Sequence, residues 1–543
     1  MKNNKKHIAV MLITVLFFLF IQIFLMVPVS AQTRDSNADK PEMSMRPQSA
    51  QREIGPAMTD PDRASENAIS VTVQDAILMA LENNRSLAVE RINPLIQKTF
   101  EAQEQAVFDP VLNAEFTAER ERGERARTRG GRDPFVSNTI AGGVAVEKFF
   151  PAGTTVQVEG GSERVETSLN NDPFLQSRLG FSLTQALLRG SGVAVNLANI
   201  RQSRLDTEAS HYELRGFSEA LLSQVESAYW DYALAIRQIK IVEESLQLVE
   251  QQKKEAEEMI EVGKLAESEL VAAQAEIASR RQELIEARST MEVRQLRFLR
   301  LLNPPGANPF KREVVLLSRP DLQQVTLDDT DAHVAVALKM RSDLNQARLG
   351  VQRDEIEIVK TKNGTLPKMD FFINLGKTGY ADSFGGSVSD VSGDSYDALA
   401  GIRFEYPFKN RAATARNRRS QLNRDQAQRA LENLSQLVEL DVRAAYIEVE
   451  RARQQISASS ETRKLEEEKL RVETEKFRVG RSTNFLVAQA QRDLLLSQLI
   501  EVRSVASYLK ALTELFRLEG SLLERRGISI PGDSTSAVPP AAG

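Results

Sequence analysis

Apolar residues recur along two long stretches of the chain with a helical period. Leu214, Phe217, Leu221, Val225, Ala228, Tyr232, Ala235, Ile239, Val242, Leu246 and Val249 advance 35 residues in ten steps, a mean of 3.5, and charged residues fill much of the remainder. That spacing is a coiled-coil seam. A less regular seam runs through Leu434, Val438, Val442, Ala445, Val449, Ala452 and Ile456, and neither stretch contains proline. A helix from Val195 to Val262 is about 100 Å long at about 1.5 Å per residue, which exceeds the diameter of a compact domain and suits a tube or rod.

Other segments alternate with a period of two. Leu112, Ala114, Phe116 and Ala118 alternate with Asn113, Glu115, Thr117 and Glu119, and Leu179, Phe181 and Leu183 with Gly180, Ser182 and Thr184. Met369, Phe371, Ile373 and Leu375 repeat the pattern, as do Ile402, Phe404 and Tyr406. One face is apolar and the other wet, which fits a membrane β-barrel wall and equally an antiparallel sheet packed on helices. Four short strands are too few to close an aqueous barrel, whereas three chains supply about a dozen. The expectation is a mainly α protein with a membrane β-barrel, about four strands per protomer, and an obligate oligomer.

The chain is also duplicated. At an offset of 217, Tyr229 falls on Tyr446, Val225 on Val442, Gly263 on Gly480, Ala273 on Ala490, Gln274 on Gln491 and Leu301 on Leu518. Near the start of each half the offset is 257, with Ala80 on Ala337, Leu87 on Leu344 and Pro110 on Pro367. These matches predict repeats at 68–305 and 326–522 joined by a linker at 306–325, with disordered ends at 32–67 and 523–543. The first repeat carries about 40 extra residues, the difference of the two offsets. Strand-like stretches at Gly142–Phe150 and Thr154–Glu159, around Pro151, Ala152 and Gly153, suggest an added hairpin that either enlarges the external loops or adds strands to the barrel. The basic run from Arg120 to Arg132 reads as a charged flexible loop after the first strand; pairing of its arginines with lipopolysaccharide phosphates is the alternative.

Composition narrows the function classes. A chain of 543 residues with 41% apolar and 27% charged content is too polar for a helical membrane bundle. Lys2, Lys5 and Lys6 precede an uncharged run from Ile8 to Val27, and Val29, Ser30 and Ala31 supply small residues at a cleavage site. Residues 1–31 therefore read as a cleaved export signal, with an uncleaved anchor helix as the alternative. Removing that segment, which carries three lysines and no acidic residue, takes the formal charge from −5 to −8 and argues against nucleic acid as a partner. Zero cysteines exclude disulfides, a thiolate metal site and lipid attachment through cysteine. Beyond the signal only His211 and His333 remain; they lie in different repeats, fit no metal-ligand spacing and are expected at the surface. No phosphate-binding loop, nucleophile elbow or dinucleotide fingerprint occurs, so the expectation is no enzyme, no cofactor and no metal.

Several motifs together resemble those of the TolC-like outer-membrane efflux proteins, across both repeats. VTVQDAILMALENNRSL, from Val71, is similar to the first helix of that family. LGFSLTQALLRGSG, from Leu179, is similar to its strand-to-helix passage, and the paired turns VGKLAESELVAAQAE, from Val262, and VGRSTNFLVAQAQRDL, from Val479, are similar to its helical tips. The resemblance implies a TolC-like channel-tunnel: a homotrimer with a twelve-stranded barrel in the outer membrane and a helical tunnel crossing the periplasm. It also implies an inner-membrane pump and a periplasmic adaptor, or membrane fusion protein, that docks at Val262, Gly263, Val479, Gly480 and Arg481. Glycine suits both turns because reversal between antiparallel helices usually calls for a left-handed backbone. The family closes its entrance with acidic rings. Glu269 matches one such position, Leu486 stands at the equivalent place in the second repeat, and Gln489 stands where a second acid is common.

Two further function classes stand beside that duct. A periplasmic coiled-coil adaptor would show one helical hairpin and a lipoyl-like domain rather than a duplicated strand-and-helix unit, and an enzyme lacks a constellation to act with.

Overall fold

The structure, a computed structural model, describes residues 68–528 except 127–130, 169–173, 264–265, 307 and 319–326. The export signal, the 32–67 segment, most of the C-terminal tail and part of the inter-repeat linker lie outside the described residues. Each repeat opens with short helices: α1 (Val73–Asn83), α2 (Arg85–Glu90) and α3 (Asn93–Gln105) in the first. Thr72 caps α1 by accepting from the Asp75 N–H while Asp75 accepts from the Thr72 N–H, a reciprocal capping box. Strand β1 (Ala68–Val71) precedes them and pairs in parallel with β6 (Glu313–Leu316).

The chain then forms four consecutive strands, β2 (Val111–Ala126), β3 (Arg132–Phe150), β4 (Thr154–Thr167) and β5 (Phe174–Ala186), before entering α4 (Ala198–Glu261) and returning through α5 (Ser268–Leu302). The second repeat runs α6 (Thr330–Met340), α7 (Ser342–Asn363), β7 (Lys368–Ala381), a short α8 (Phe384–Asp390), β8 (Tyr396–Glu405), α9 (Arg411–Arg478) and α10 (Asn484–Glu519), and ends in α11 (Leu522–Arg525). Helix α4 has 64 residues and α9 has 68, lengths of about 96 and 102 Å. The seam read from the period is the buried side of α4: Leu214, Leu221, Val225, Tyr232, Ala235, Val242 and Val249 are all buried.

The expected four strands are corrected to six. One sheet has the order β2-β3-β4-β5-β7-β8, every neighbouring pair antiparallel, so the extra residues of the first repeat are a hairpin, β3 and β4, inserted into the sheet itself. Four strands came from counting segments with a counterpart in both repeats, and the hairpin has none. The basic run is corrected as well. Residues Arg120 to Ala126 continue β2 and pair with Arg132–Asn138 of β3. Only residues 127–130 of that run lie outside the described residues.

Where the helices cross the level of β1 and β6, the duplication becomes two cores. The first joins Ile77, Ala80, Leu87, Leu221, Val225, Tyr229 and Phe298; the second joins Val334, Ala337, Leu344, Val438, Val442 and Leu515. Ile77, Ala80 and Leu87 correspond to Val334, Ala337 and Leu344 at offset 257, and Leu221, Val225 and Phe298 to Val438, Val442 and Leu515 at offset 217. The Ser318 N–H donates to the Tyr229 hydroxyl at 2.9 Å and the Tyr232 hydroxyl donates to the Val314 carbonyl at 3.2 Å, which fixes the small parallel sheet on α4. His333, expected at the surface, is buried with its Nδ1 3.3 Å from Glu519. Its counterpart in the first repeat is Ala76, also buried, so the position belongs to the core face whatever residue occupies it.

Charges are sealed beside these cores. Arg526 donates twice to Glu226, at 2.6 Å each, and Arg215 binds Glu524 and the Gly520 carbonyl. Burial lifts the Glu219 carboxyl from its ordinary 4.5 to about 7, against the pull of Arg215 and Arg517 and with the help of Glu524. A carboxyl raised in the fold contributes fully below pH 4.5 and loses that contribution as the pH rises to 7. Substituting E219Q is therefore expected to stabilise the protein at pH 8 by at most about 3 kcal/mol and to do little at pH 4.5. Thermal melts at the two pH values check this, and a stability gap that narrows on raising the pH would sink it.

Candidate functional site

Two regions carry the sequence-predicted site residues and the exposed apolar side chains: the turns where the long helices reverse, and the two faces of the sheet. At the first turn Val262 ends α4, and Gly263, at φ 71°, donates its N–H to the Ile260 carbonyl at 2.9 Å. At the second, Val479 ends α9, Gly480, at φ 73°, donates to Phe477 at 2.9 Å, and the Arg481 N–H donates to Lys476 at 2.8 Å. The paired bonds at Gly480 and Arg481 close the last turn as a Schellman motif. Thr483 starts α10 by accepting from Leu486. Val262 and Val479 are 66% and 69% exposed, so each turn offers a bare apolar side chain beside a glycine.

The two turns sit at one end of the helices. The Asn484 side-chain amide donates to the Glu269 carbonyl at 3.3 Å and accepts from Gln252 at 2.8 Å, which links α10 to both α5 and α4. Glu269 is half-buried in the first turn of α5, and Gln489 is exposed on α10. Sequence reasoning missed the bonds that hold the two helical pairs together here. Gln491 donates to Gln252, and the buried Glu276 accepts from Arg280 at 2.6 Å and Arg492 at 2.9 Å. Gln491 was visible as the counterpart of Gln274. Its partner was not, since Gln252 lies 239 positions away on the other repeat. A buried carboxylate between two guanidiniums is costly to break on one side, so this cluster fixes the spacing of the helical pairs.

The two faces of the sheet differ in chemistry. Register carries one row, Leu112, Val146, Val158, Phe181, Leu375 and Ala398, across all six strands on the same face. Phe116 is 76% exposed and Ile402 66%; the rows on either side are mostly apolar, with Lys148 and Lys377 among them. From Tyr396 to Phe404 the strand rises about 27 Å, or about 21 Å at a tilt of about 40°, close to the height of the apolar band of outer-membrane barrels. The opposite face carries Glu115, Glu147, Glu159, Glu163 and Asp397 with Arg178 among them. Arg178 donates to Asp397, one bond measuring 2.9 Å, and lies 3.8 Å from Glu159. Among the described residues, no helix is long and apolar enough to cross a membrane.

Residues 143–303 and 334–521 match the family model described as outer membrane efflux protein. No curated protein matches the sequence. Among solved structures the chain is similar to the outer-membrane channel OprN, at 16% identity over 83% of this chain and 90% of that one, with a TM-score of 0.62. It is also similar to the CmeC outer membrane channel of Campylobacter jejuni, at 16% identity over 90% and 94% with a TM-score of 0.58, and to the outer membrane protein VceC of Vibrio cholerae, at 14% over 82% and 96% with a TM-score of 0.61. These likenesses show the TolC-like channel-tunnel fold, with long helices and a β-sheet portion. Since the family model spans well over half of the sequence, this chain belongs to the outer membrane efflux protein family, a family of transport channels rather than enzymes.

Proposed function

We propose that three copies of this chain form the outer-membrane exit duct of a tripartite efflux pump or type I secretion system, through which solutes or polypeptides pass passively from periplasm to exterior. The observation that carries the reading is the exposed apolar face of the sheet, set on helices about 100 Å long, since a soluble adaptor has no use for such a face. Ile285, Ile447 and Leu465 on the helices are 67% to 71% exposed in one chain, which supports burial against neighbouring copies. An inner-membrane pump supplies the energy. The periplasmic adaptor docks at Val262, Gly263, Val479, Gly480 and Arg481, where apolar tips with an open backbone offer a complementary end. Glu269, repeated around the axis, lines the closed entrance, with Gln489 nearby. Outer-membrane lipid meets the apolar sheet face, and nucleic acid has no part.

Fractionation tests the assembly. Heat-resistant trimers are expected in the outer membrane, and recovery as a monomer in the soluble periplasm would overturn the duct. Placing a charge on a tip, V262D or V479D, is expected to abolish capture by the adaptor while leaving the trimer intact in native gels; undiminished capture by the double variant would remove the tips from the interface. The acidic inner face of the sheet predicts that opened channels in planar bilayers prefer cations. Reversal potentials in a salt gradient measure this preference, and anion selectivity would contradict it.

A further inference from the structure

The inserted hairpin has no counterpart in the second repeat, and it lies inside the sheet rather than at its rim. Strands β3 and β4 separate β2 from β5, which flank them in the pairing order. On one side Val144, Val146, Val156 and Val158 continue the apolar rows of Leu112 and Phe181 at the same height. On the other side stand Ala141, Gly143, Ala145 and Gly161, which project little into the space they face. A hairpin that served as an external loop would need neither the apolar row nor its alignment.

Building on the duct reading above, we propose that three copies close into a single eighteen-stranded barrel, β8 of one copy pairing antiparallel with β2 of the next, and that the resulting mouth admits cargo about 20 Å across. Direction supports the seam. Six alternating strands leave β2 and β8 running in opposite senses, so edges from adjacent copies meet antiparallel and the ring closes without a parallel joint. Chemistry supports it too: Leu112, Ala114 and Phe116 share the apolar face with Ala398, Ala400 and Ile402, while Asn113 and Glu115 share the wet face with Asp397. Edge strands inside a membrane must find partners for their backbone groups, and a second copy is the partner with a matching edge. At a spacing of about 4.8 Å and a tilt of about 40°, eighteen strands span about 36 Å between opposite backbones, against about 24 Å for twelve. Barrels of that strand number hold an open aqueous channel. On the inner side Ala141, Gly143, Ala145 and Gly161 take up little of that width, beside the longer Glu147, Glu159 and Glu163.

Electron cryomicroscopy of the full chain in lipid nanodiscs counts the strands. Eighteen in one ring, with β8 beside a neighbouring β2, is the expected result. A trimer whose ring has twelve strands, with β3 and β4 outside it, would overturn the proposal and leave the duct standing; monomers without a ring would overturn both. A second measurement excises residues 127–173 and joins β2 to β5 by a short turn, giving four strands per chain. The largest polyethylene glycol that enters the mouth from the outer side of a planar bilayer is expected to fall in diameter by more than half, since about 12 Å of backbone diameter is lost from an opening of about 20 Å. An assembled variant whose cut-off is unchanged would show that the hairpin does not set the width. Should the variant fail to assemble, the strand count of the parent decides alone.

Discussion

Every peptide group that enters lipid must find its hydrogen bond within protein, because the hydrocarbon offers no water to replace it. In this chain the constraint falls on a six-stranded sheet with two open edges. Inside the sheet the ladders from β2 to β8 satisfy the backbone, and the alternating side chains make one face mainly apolar and the other mainly polar. At β2 and β8 the ladder stops. The apolar face and the two unpaired edges are the features on which the proposed assembly of copies rests.

The helices extend that arrangement away from the sheet. β5 and β8 each lead into a proline-free helix of more than sixty residues, so the two halves of the duplication leave the sheet side by side and reverse at matching glycines. Two related cores, one from each repeat, clamp the long helices where α1, α6 and the small parallel sheet pack against them. The half-buried pairs Arg526 with Glu226 and Arg215 with Glu524 stand beside those cores. Ion pairs of this kind cost desolvation and give little net stability, but they resist any sliding that would leave one partner alone. A long rod needs that resistance at its waist, because a small rotation there moves the tips by many ångströms.

At the far end, packing gives way to polar bonds. Around the tips the apolar cluster shrinks to Leu470, Phe477, Val487, Ala490 and Leu494 with Met259 against it, while Gln252, Asn484, Gln491, Glu276 and Arg492 carry the contacts between the helical pairs. Asn484, Gln491, Glu276 and Arg280 are buried, so at this end it is polar bonding rather than apolar packing that holds the helical pairs at their spacing.

Whatever depends on period and on repetition was written in the sequence. The 3.5-residue seam gave the buried side of α4, the two offsets aligned the cores and the tip glycines, and alternation assigned the faces of four strands correctly. The hairpin β3 and β4 was half legible: its strand character was visible at Gly142–Phe150 and Thr154–Glu159, but not its place in the sheet. Pairing order is decided by which edges compete for hydrogen bonds, and a single segment carries no record of its neighbours. The same limit hid the burial of His333 against Glu519 and the bond between Gln252 and Gln491, whose partners stand nearly two hundred residues apart or more. Local pattern is inherited along the chain, whereas contacts across repeats exist only once the folded backbone has brought distant positions within the few ångströms over which hydrogen bonds and ion pairs act.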